Sequence, residues 1–411
     1  MQILKTLFIT TAIVMALATA VGALSWQQTW ELAQRNNYQI KSANRQTEAS
    51  RWSYYKSFTP FIPQLSASLS MGESSSGSFA TPVKSDSYGI SATQSLFSGL
   101  DNFYSNLSAR VNYDLSQTSL RKTQSDVSLL VRQQFIELAV ADENLKLLKS
   151  ILARRRDNSA LIELQFRNGR EDKGALLRTQ ADEAEAEYNL SSAGRTQLLS
   201  KLKLTQLLSF EVDKAEGELK VTLPDRPNYD KLLLSTPSYV MALKQTEAAD
   251  IAYRQTVSGF LPSVSLSGSI RKSGTDWSVL NRSNSWSLSL SYPFFPGGGN
   301  VADRFRFAAL NDQAQQDLIK TKNDLRYNLE SAYAQLQDTL LAQKVALLSE
   351  DAAKLRAEIA GTKYLNGLIG YDEWVIIEND YINSQKSFLS RKRAVLLAEA
   401  AWVNSYGGII K

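Results

Sequence analysis

The glycine triplet Gly297-Gly298-Gly299 and the basic runs Arg154-Arg155-Arg156 and Arg391-Lys392-Arg393 are the stretches whose composition could do chemistry. A glycine-rich loop cradles phosphate when a Gly-Lys-Ser/Thr sequence follows it. None follows here, and Pro293 and Pro296 mark the triplet as a strand-to-helix turn. The basic runs could meet nucleic acid, but each lies inside a helical pattern with acidic residues nearby, as a solvated helix face does. The chain also contains no Cys and no His. No thiolate or imidazole is available for a zinc site, a Cys nucleophile or a Ser-His-Asp triad. A non-enzyme is expected, with no cofactor, no metal and no nucleic-acid partner. An exported chain of this composition has no disulfides and no Cys to carry a lipid anchor.

Export is expected from the N-terminus. Lys5 precedes an apolar run from Leu7 to Leu17 and then small residues ending Val21-Gly22-Ala23. This pattern predicts a signal peptide over 1–23, cut after Ala23. Its apolar run, about 11 residues, is short for a helix that must span roughly 30 Å of hydrocarbon.

The elements that follow come twice. Arg45-Gln46-Thr47-Glu48-Ala49 returns as Lys244-Gln245-Thr246-Glu247-Ala248, and Phe61-Ile62-Pro63 as Phe260-Leu261-Pro262, both 199 positions later. Phe97-Ser98-Gly99 returns as Phe295-Pro296-Gly297, and Asn168-Gly169 as Asn366-Gly367, both 198 later. Landmarks in one order at one offset indicate two copies of one structural unit. The copies are expected over 24–210 and 238–411, with a linker over 211–237 where Pro224, Pro227 and Pro237 cluster.

Each copy changes period in the same order. Residues 26–58 lack Gly and Pro and predict a helix, which Pro60 and Pro63 end. Beyond them Leu65, Ala67, Leu69 and Met71 alternate with serines, and after a Ser- and Gly-rich turn Tyr88, Ile90 and Ala92 alternate with small polar residues. In the second copy Val264, Leu266 and Ile270 alternate with serines, and the partner strand sets Trp286, Leu288, Leu290 and Tyr292 against Ser285, Ser287, Ser289 and Ser291. Strands of about ten residues, apolar on one face and small and polar on the other, match a barrel whose outside meets lipid. Trp286 and Tyr292 suit an interfacial aromatic girdle. A soluble hairpin packing on a core is the plainer alternative. Four strands cannot close a barrel in lipid, so self-association follows; two copies give about eight strands and three about twelve.

Residues 100–168 and 301–360 contain neither Gly nor Pro, and at 1.5 Å per residue they predict helices of roughly 100 and 90 Å. Each is followed by a shorter helix, near 175–208 and 371–406. Val131, Phe135, Leu138, Leu145, Leu148 and Leu152 keep a coiled-coil spacing interrupted by Asp142.

Signal peptide, helix, hairpin, long helix, Asn-Gly turn and returning helix, with all but the first repeated, resemble the TolC-like outer-membrane efflux family over essentially the whole mature chain. The resemblance implies a mixed α and β membrane protein. Three protomers, each giving four strands, would form a composite 12-stranded β-barrel and a long periplasmic α-helical coiled-coil barrel. It implies location in the outer membrane of a Gram-negative bacterium, and service as the exit duct of a tripartite efflux or type I secretion system with an inner-membrane pump and a periplasmic adaptor. Adaptor contact would fall at the hairpin tips, Asn168, Gly169 and Arg170 in one copy and Asn366, Gly367 and Leu368 in the other. Each Gly also serves simply to end a helix at positive φ. The family's periplasmic gate carries an acid six residues after the second Gly, matched by Glu373 with Asp372 beside it, and a tyrosine three before it, matched by Tyr364. A ring of such acids about a threefold axis would favour cations, while first-turn acids also complement the helix dipole. Other gate positions depart: Ile369, Ile376 and Ala175 stand where charges can occur. The competing readings are a trimeric coiled-coil surface adhesin and a soluble periplasmic structural protein.

Overall fold

The computed structural model describes residues 23–75, 82–217, 221, 223, 227–277 and 279–410. Apart from Ala23, the expected signal peptide lies outside them, as do Pro224 and most of the Ser- and Gly-rich turn of the first hairpin. Two compact units are present, and each draws on both halves of the sequence.

One unit comprises Ser42–Arg121 and Pro237–Asp324. Its sheet contains β2 (Gln64–Ser74), β3 (Val83–Ser98), β5 (Ser263–Asp276) and β6 (Val279–Ser291), antiparallel in the order β2-β3-β5-β6. The period-two alternation sets the faces. Leu69 pairs with Tyr88, Ile90 with Ile270 and Gly268 with Trp286, which gathers the apolar side chains on one side. On the other side serine hydroxyls bond across strands: Ser66 to Ser91 at 2.7 Å, Ser267 to Ser287 at 2.8 Å and Ser269 to Ser285 at 2.9 Å. The apolar face is open, with Leu65 75% and Trp286 79% exposed.

The helices of this unit are the C-terminal part of α2 (Tyr38–Lys56), the start of α3 (Asp101–Arg167), α6 (Pro237–Gln255) and the start of α7 (Gly299–Leu365). The two copies use the same polar contact. Thr47 Oγ1 donates to the carbonyl of Ser116, and Thr246 Oγ1 to that of Ala314, both at 3.3 Å. Residues 26–58 are not the single helix expected. Asn37 interrupts them at φ −61° and ψ 128°, between α1 (Trp26–Asn36) and α2. Its Oδ1 accepts from Gln39 N at 2.9 Å and its Nδ2 donates to the Leu207 carbonyl at 3.0 Å. An Asn side chain that satisfies nearby backbone competes with the helix ladder.

The other unit comprises the described part of Met1–Lys41, with Lys122–Thr236 and Leu325–Lys411. It holds α1, the remainder of α3 and α7, α4 (Lys173–Leu208), α5 (Tyr229–Ser235) and α8 (Tyr371–Ser405), plus a parallel pair of short strands, β1 (Ala23–Leu24) and β4 (Lys214–Ala215). The expected linker therefore contributes structure of its own, β4 and α5. The seam on α3 splits at Asp142. Val131, Phe135 and Leu138 pack with Trp26, Trp30 and Leu204, while Leu148 and Leu152 pack with Ala186, Ala193 and Ile382. Asp142 accepts a hydrogen bond from Gln197 of α4, which lets a polar group sit within the seam. Among the described residues no helix is long and apolar enough to cross a membrane.

Candidate functional site: the helical hairpin tips

Two helices of 67 residues, α3 and α7, end in turns of the same construction. At the first, Gly169 has φ +69°, its N–H donates to Phe166 O and Arg170 N–H donates to Gln165 O, both at 2.9 Å. At the second, Gly367 has φ +70°, with Gly367 N–H on Tyr364 O and Leu368 N–H on Lys363 O, again both 2.9 Å. These paired bonds are a Schellman cap, which satisfies the last carbonyls of the helix. A Cβ at either glycine would meet nothing within 4 Å, so the positive φ, not crowding, calls for Gly. Asn168, Gly169, Arg170, Asn366, Gly367 and Leu368 are all exposed.

The returning helices start differently. Asp172 caps α4 by accepting from Ala175 N at 2.8 Å, whereas α8 begins at Gly370 with no side-chain cap. Asp372 and Glu373 occupy that uncapped first turn, both exposed. Their charges meet free backbone N–H groups at the positive end of the helix dipole.

Behind the turns is an apolar cluster of Ile162, Ala175, Ala360, Tyr364, Tyr371, Trp374 and Val375, with Ile369 packed against it. Tyr364 lies flat on Trp374, ring centroids 4.6 Å apart and planes within 1° of parallel, and Tyr371 meets Trp374 edge-on at 6.4 Å. The Tyr364 hydroxyl donates to Glu171 Oε1 at 2.7 Å, which ties the second hairpin to the first. Burial, and then that hydrogen bond, push the Tyr364 hydroxyl well above the usual tyrosine range. Burial also raises Tyr371, with the Asp182 carboxylate adding to it. Both stay neutral over the physiological range. The two charge-lacking positions Ala175 and Ile369 now have a reason, since both belong to this apolar packing and a charge there would be desolvated. Ile376 is 57% exposed and is not part of it.

Further along, the basic runs find acids across helices. Arg154 pairs with Glu378 at 3.1 Å, Arg155 with Asp182 at 3.4 Å and Arg156 with Glu187 at 2.6 Å. Lys392 pairs with Glu143 at 2.8 Å, and Arg393 with Glu137. Among the described residues no group of three or more His, Cys, Asp or Glu side chains is placed to hold a metal ion.

The structure thus brings Tyr364 and the two tip turns into one unit with Asp372 and Glu373. Trp286, Leu288, Leu290 and Tyr292 belong to the sheet unit, with Tyr292 just beyond the end of β6. Sequence reasoning missed Glu171, Tyr371 and Trp374. The spacing of Tyr371 and Trp374, three apart immediately after Gly370, was the available signal for the aromatic pair.

A four-stranded sheet with an open apolar face, in a chain with two very long helical hairpins, defines the class of outer-membrane efflux channels. The sequence pattern described as outer membrane efflux protein matches residues 29–209 and again 228–408, and the chain belongs to that family. It is an outer-membrane transport protein. It is 24% identical over 406 residues to SilC, a probable outer membrane lipoprotein of Salmonella typhimurium, with 92% of this chain and 84% of the relative covered. CusC of Escherichia coli K12, a cation efflux system protein, is 24% identical over 398 residues, covering 91% and 84%. Among solved structures, CusC superposes with a TM-score of 0.84 at 18% identity over 93% of this chain and 92% of that one. The outer membrane protein VceC of Vibrio cholerae superposes with a TM-score of 0.82 at 18% identity, covering 94% and 97%.

Proposed function

We propose that three copies of this chain close one twelve-stranded barrel in the outer membrane and one helical tunnel beneath it, forming the exit duct for a periplasmic adaptor and an inner-membrane pump. The observation that carries this reading is the sheet itself. Its outer strands, β2 and β6, have no partner on their far edges among the described residues, and its apolar side chains are exposed. Open edges are not tolerated in hydrocarbon, so the edges must meet those of other copies. The two halves, 24–210 and 238–411, act as equivalent repeats about the 211–237 linker. Trp286, Leu288, Leu290 and Tyr292 face lipid. The tips at Asn168, Gly169, Arg170, Asn366, Gly367 and Leu368 receive the adaptor. Tyr364, Asp372 and Glu373 form the periplasmic entrance, which the Tyr364–Glu171 bond and the aromatic stack hold together.

The absence of cysteine makes the stoichiometry directly testable. Within one protomer β2 and β6 are three strand spacings apart, roughly 14 Å, beyond the roughly 7 Å limit for a disulfide between Cα atoms. Cysteine pairs scanned along β2 and β6 should therefore crosslink only between protomers and give a covalent ladder ending at three. A ladder ending at two, or no conductance of the purified protein in planar bilayers, defeats the reading.

The entrance makes its own prediction. Three pairs of acids about a narrow axis focus a negative potential. The double variant Asp372→Asn with Glu373→Gln should lose cation selectivity and block by divalent cations, an effect that fades near 1 M salt as screening shortens to about 3 Å. Unchanged selectivity in that variant would show the two acids to be helix-start residues alone.

A further inference from the structure

We propose that Lys272 and Arg282 form a site for the phosphate of a lipid in the outer leaflet, whose acyl chain lies in the trough beside them; this rests on the apolar face being the lipid face. The trough, about 890 Å³, runs across the sheet between Leu69, Tyr88, Ile270 and Trp286. Its floor is low at Gly268 and its β3 partner Ala92, while Trp286, opposite Gly268 on β6, stands up as one wall.

One end of the trough is basic. Lys272 stands directly opposite Arg282 across β5 and β6, and opposite Tyr88 across β5 and β3. All three share the apolar face. Like charges facing each other across an antiparallel pair repel. Arg282 donates from Nε to Asn284 Oδ1 at 3.1 Å, and among the described residues neither cation forms an ion pair. Asp86, diagonal to Lys272 by register, is buried and not paired with it. Glu73 and Lys84 face one another on β2 and β3, so their charges offset locally. One residue away, on the serine face, Arg271 donates to Ser87 Oγ at 2.7 Å and lies outside the trough.

The position along the strand matches a headgroup. The strands reach the helices through Pro60–Pro63 and Pro293–Pro296, so the basic pair lies toward the opposite, hairpin end. In an outer-membrane protein whose helices are periplasmic, that end is the outer leaflet. From Leu290 to Arg282 is eight residues, about 27 Å of strand, or roughly 20 Å of depth at the usual barrel tilt, close to the height of a barrel's apolar band. Lipid-face cations are costly at the membrane midplane and cheap at its margin. A guanidinium and an ammonium side by side present the donors that a phosphate oxyanion accepts. A phosphorylated glycolipid supplies both that anion and the chain for the trough.

The test uses the full chain, purified in its assembled form, stripped of lipid and titrated with diphosphoryl lipid A, with bound lipid counted by native mass spectrometry. Lys272→Ser with Arg282→Ser should bind about 10- to 100-fold more weakly. Lys272→Arg should retain binding, and Arg271→Ser should leave it unchanged. Inorganic phosphate at matched concentration should not displace the lipid, and dephosphorylated lipid A should bind as weakly as lipid A binds to the double variant. Equal binding by the double variant, displacement by inorganic phosphate, or undiminished binding of the dephosphorylated lipid overturns the site. Bilayer conductance on the same preparations separates the two readings: a conducting protein without lipid A binding overturns this site alone, and a non-conducting one overturns the lipid-facing assignment beneath it.

Discussion

Leu288→Arg should cost up to about 2 to 4 kcal/mol per protomer in assembly, the value reached at the membrane midplane, while Ser289→Arg, its neighbour, should cost little. The two positions differ only in the face they occupy. Leu288 pairs with Leu266 on the apolar side and is 60% exposed, whereas Ser289 pairs with Ser265 on the serine side. On the lipid side an arginine must be buried in hydrocarbon, and in a trimer that penalty is incurred three times. On the other side it enters water. The yield of heat-resistant oligomer from isolated outer membranes reads the difference. Comparable losses from both variants would mean that the two faces meet the same environment, and the lipid assignment would fail.

Trp374→Ala should loosen the hairpin tips by about 3 to 5 kcal/mol, the range for truncating a buried large aromatic. Trp374 is 4% exposed, stacks on Tyr364 and touches Tyr371, so its removal opens the centre of the cluster and frees the ring that carries the bond to Glu171. Hydrogen exchange should accelerate around Ile162 and from Ala360 to Val375, without change in the sheet. If the tips form the entrance, single-channel conductance should rise as well. Ile376→Ala, two positions away and exposed, should stay within about 0.5 kcal/mol. Equal protection in the two variants would show that the stack does not hold the tips.

Much of the fold was legible because its signals are local and periodic. Serine alternation after Pro63 and Pro262 marked both hairpins, and the long Gly- and Pro-free runs located α3 and α7 to within a few residues. Gly361 inside α7 shows where that reading was too strict: the helix runs on through it to Leu365, and a Cβ there would meet Trp374 Nε1 only at an ordinary contact distance of 3.9 Å, so this glycine neither ends the helix nor is demanded by packing. Asn37 was missed for the opposite reason. Nothing in its neighbourhood announces a break, and the partner that fixes it, the Leu207 carbonyl, is 170 positions away. The tip was legible in its glycines and acids but not in its fastening. Tyr364 and Glu171 come from different hairpins, 193 positions apart, and carry no spacing that links them. Ala175 and Ile369 look like missing charges in sequence and prove to be packing residues once the cluster is seen.

The order β2-β3-β5-β6 also constrains how the chain can mature. The central seam joins β3 to β5, with Ile90 against Ile270, so the first hairpin has no permanent neighbour until the second has been delivered. Contacts of such long sequence separation form late, because the intervening loop must be closed before they reward it. Throughout secretion, therefore, the first half travels as an uncompleted edge with a greasy flank, the kind of surface that seeds aggregates. A periplasmic holdase would be needed most by a chain halted between residues 98 and 263, and least by one already released.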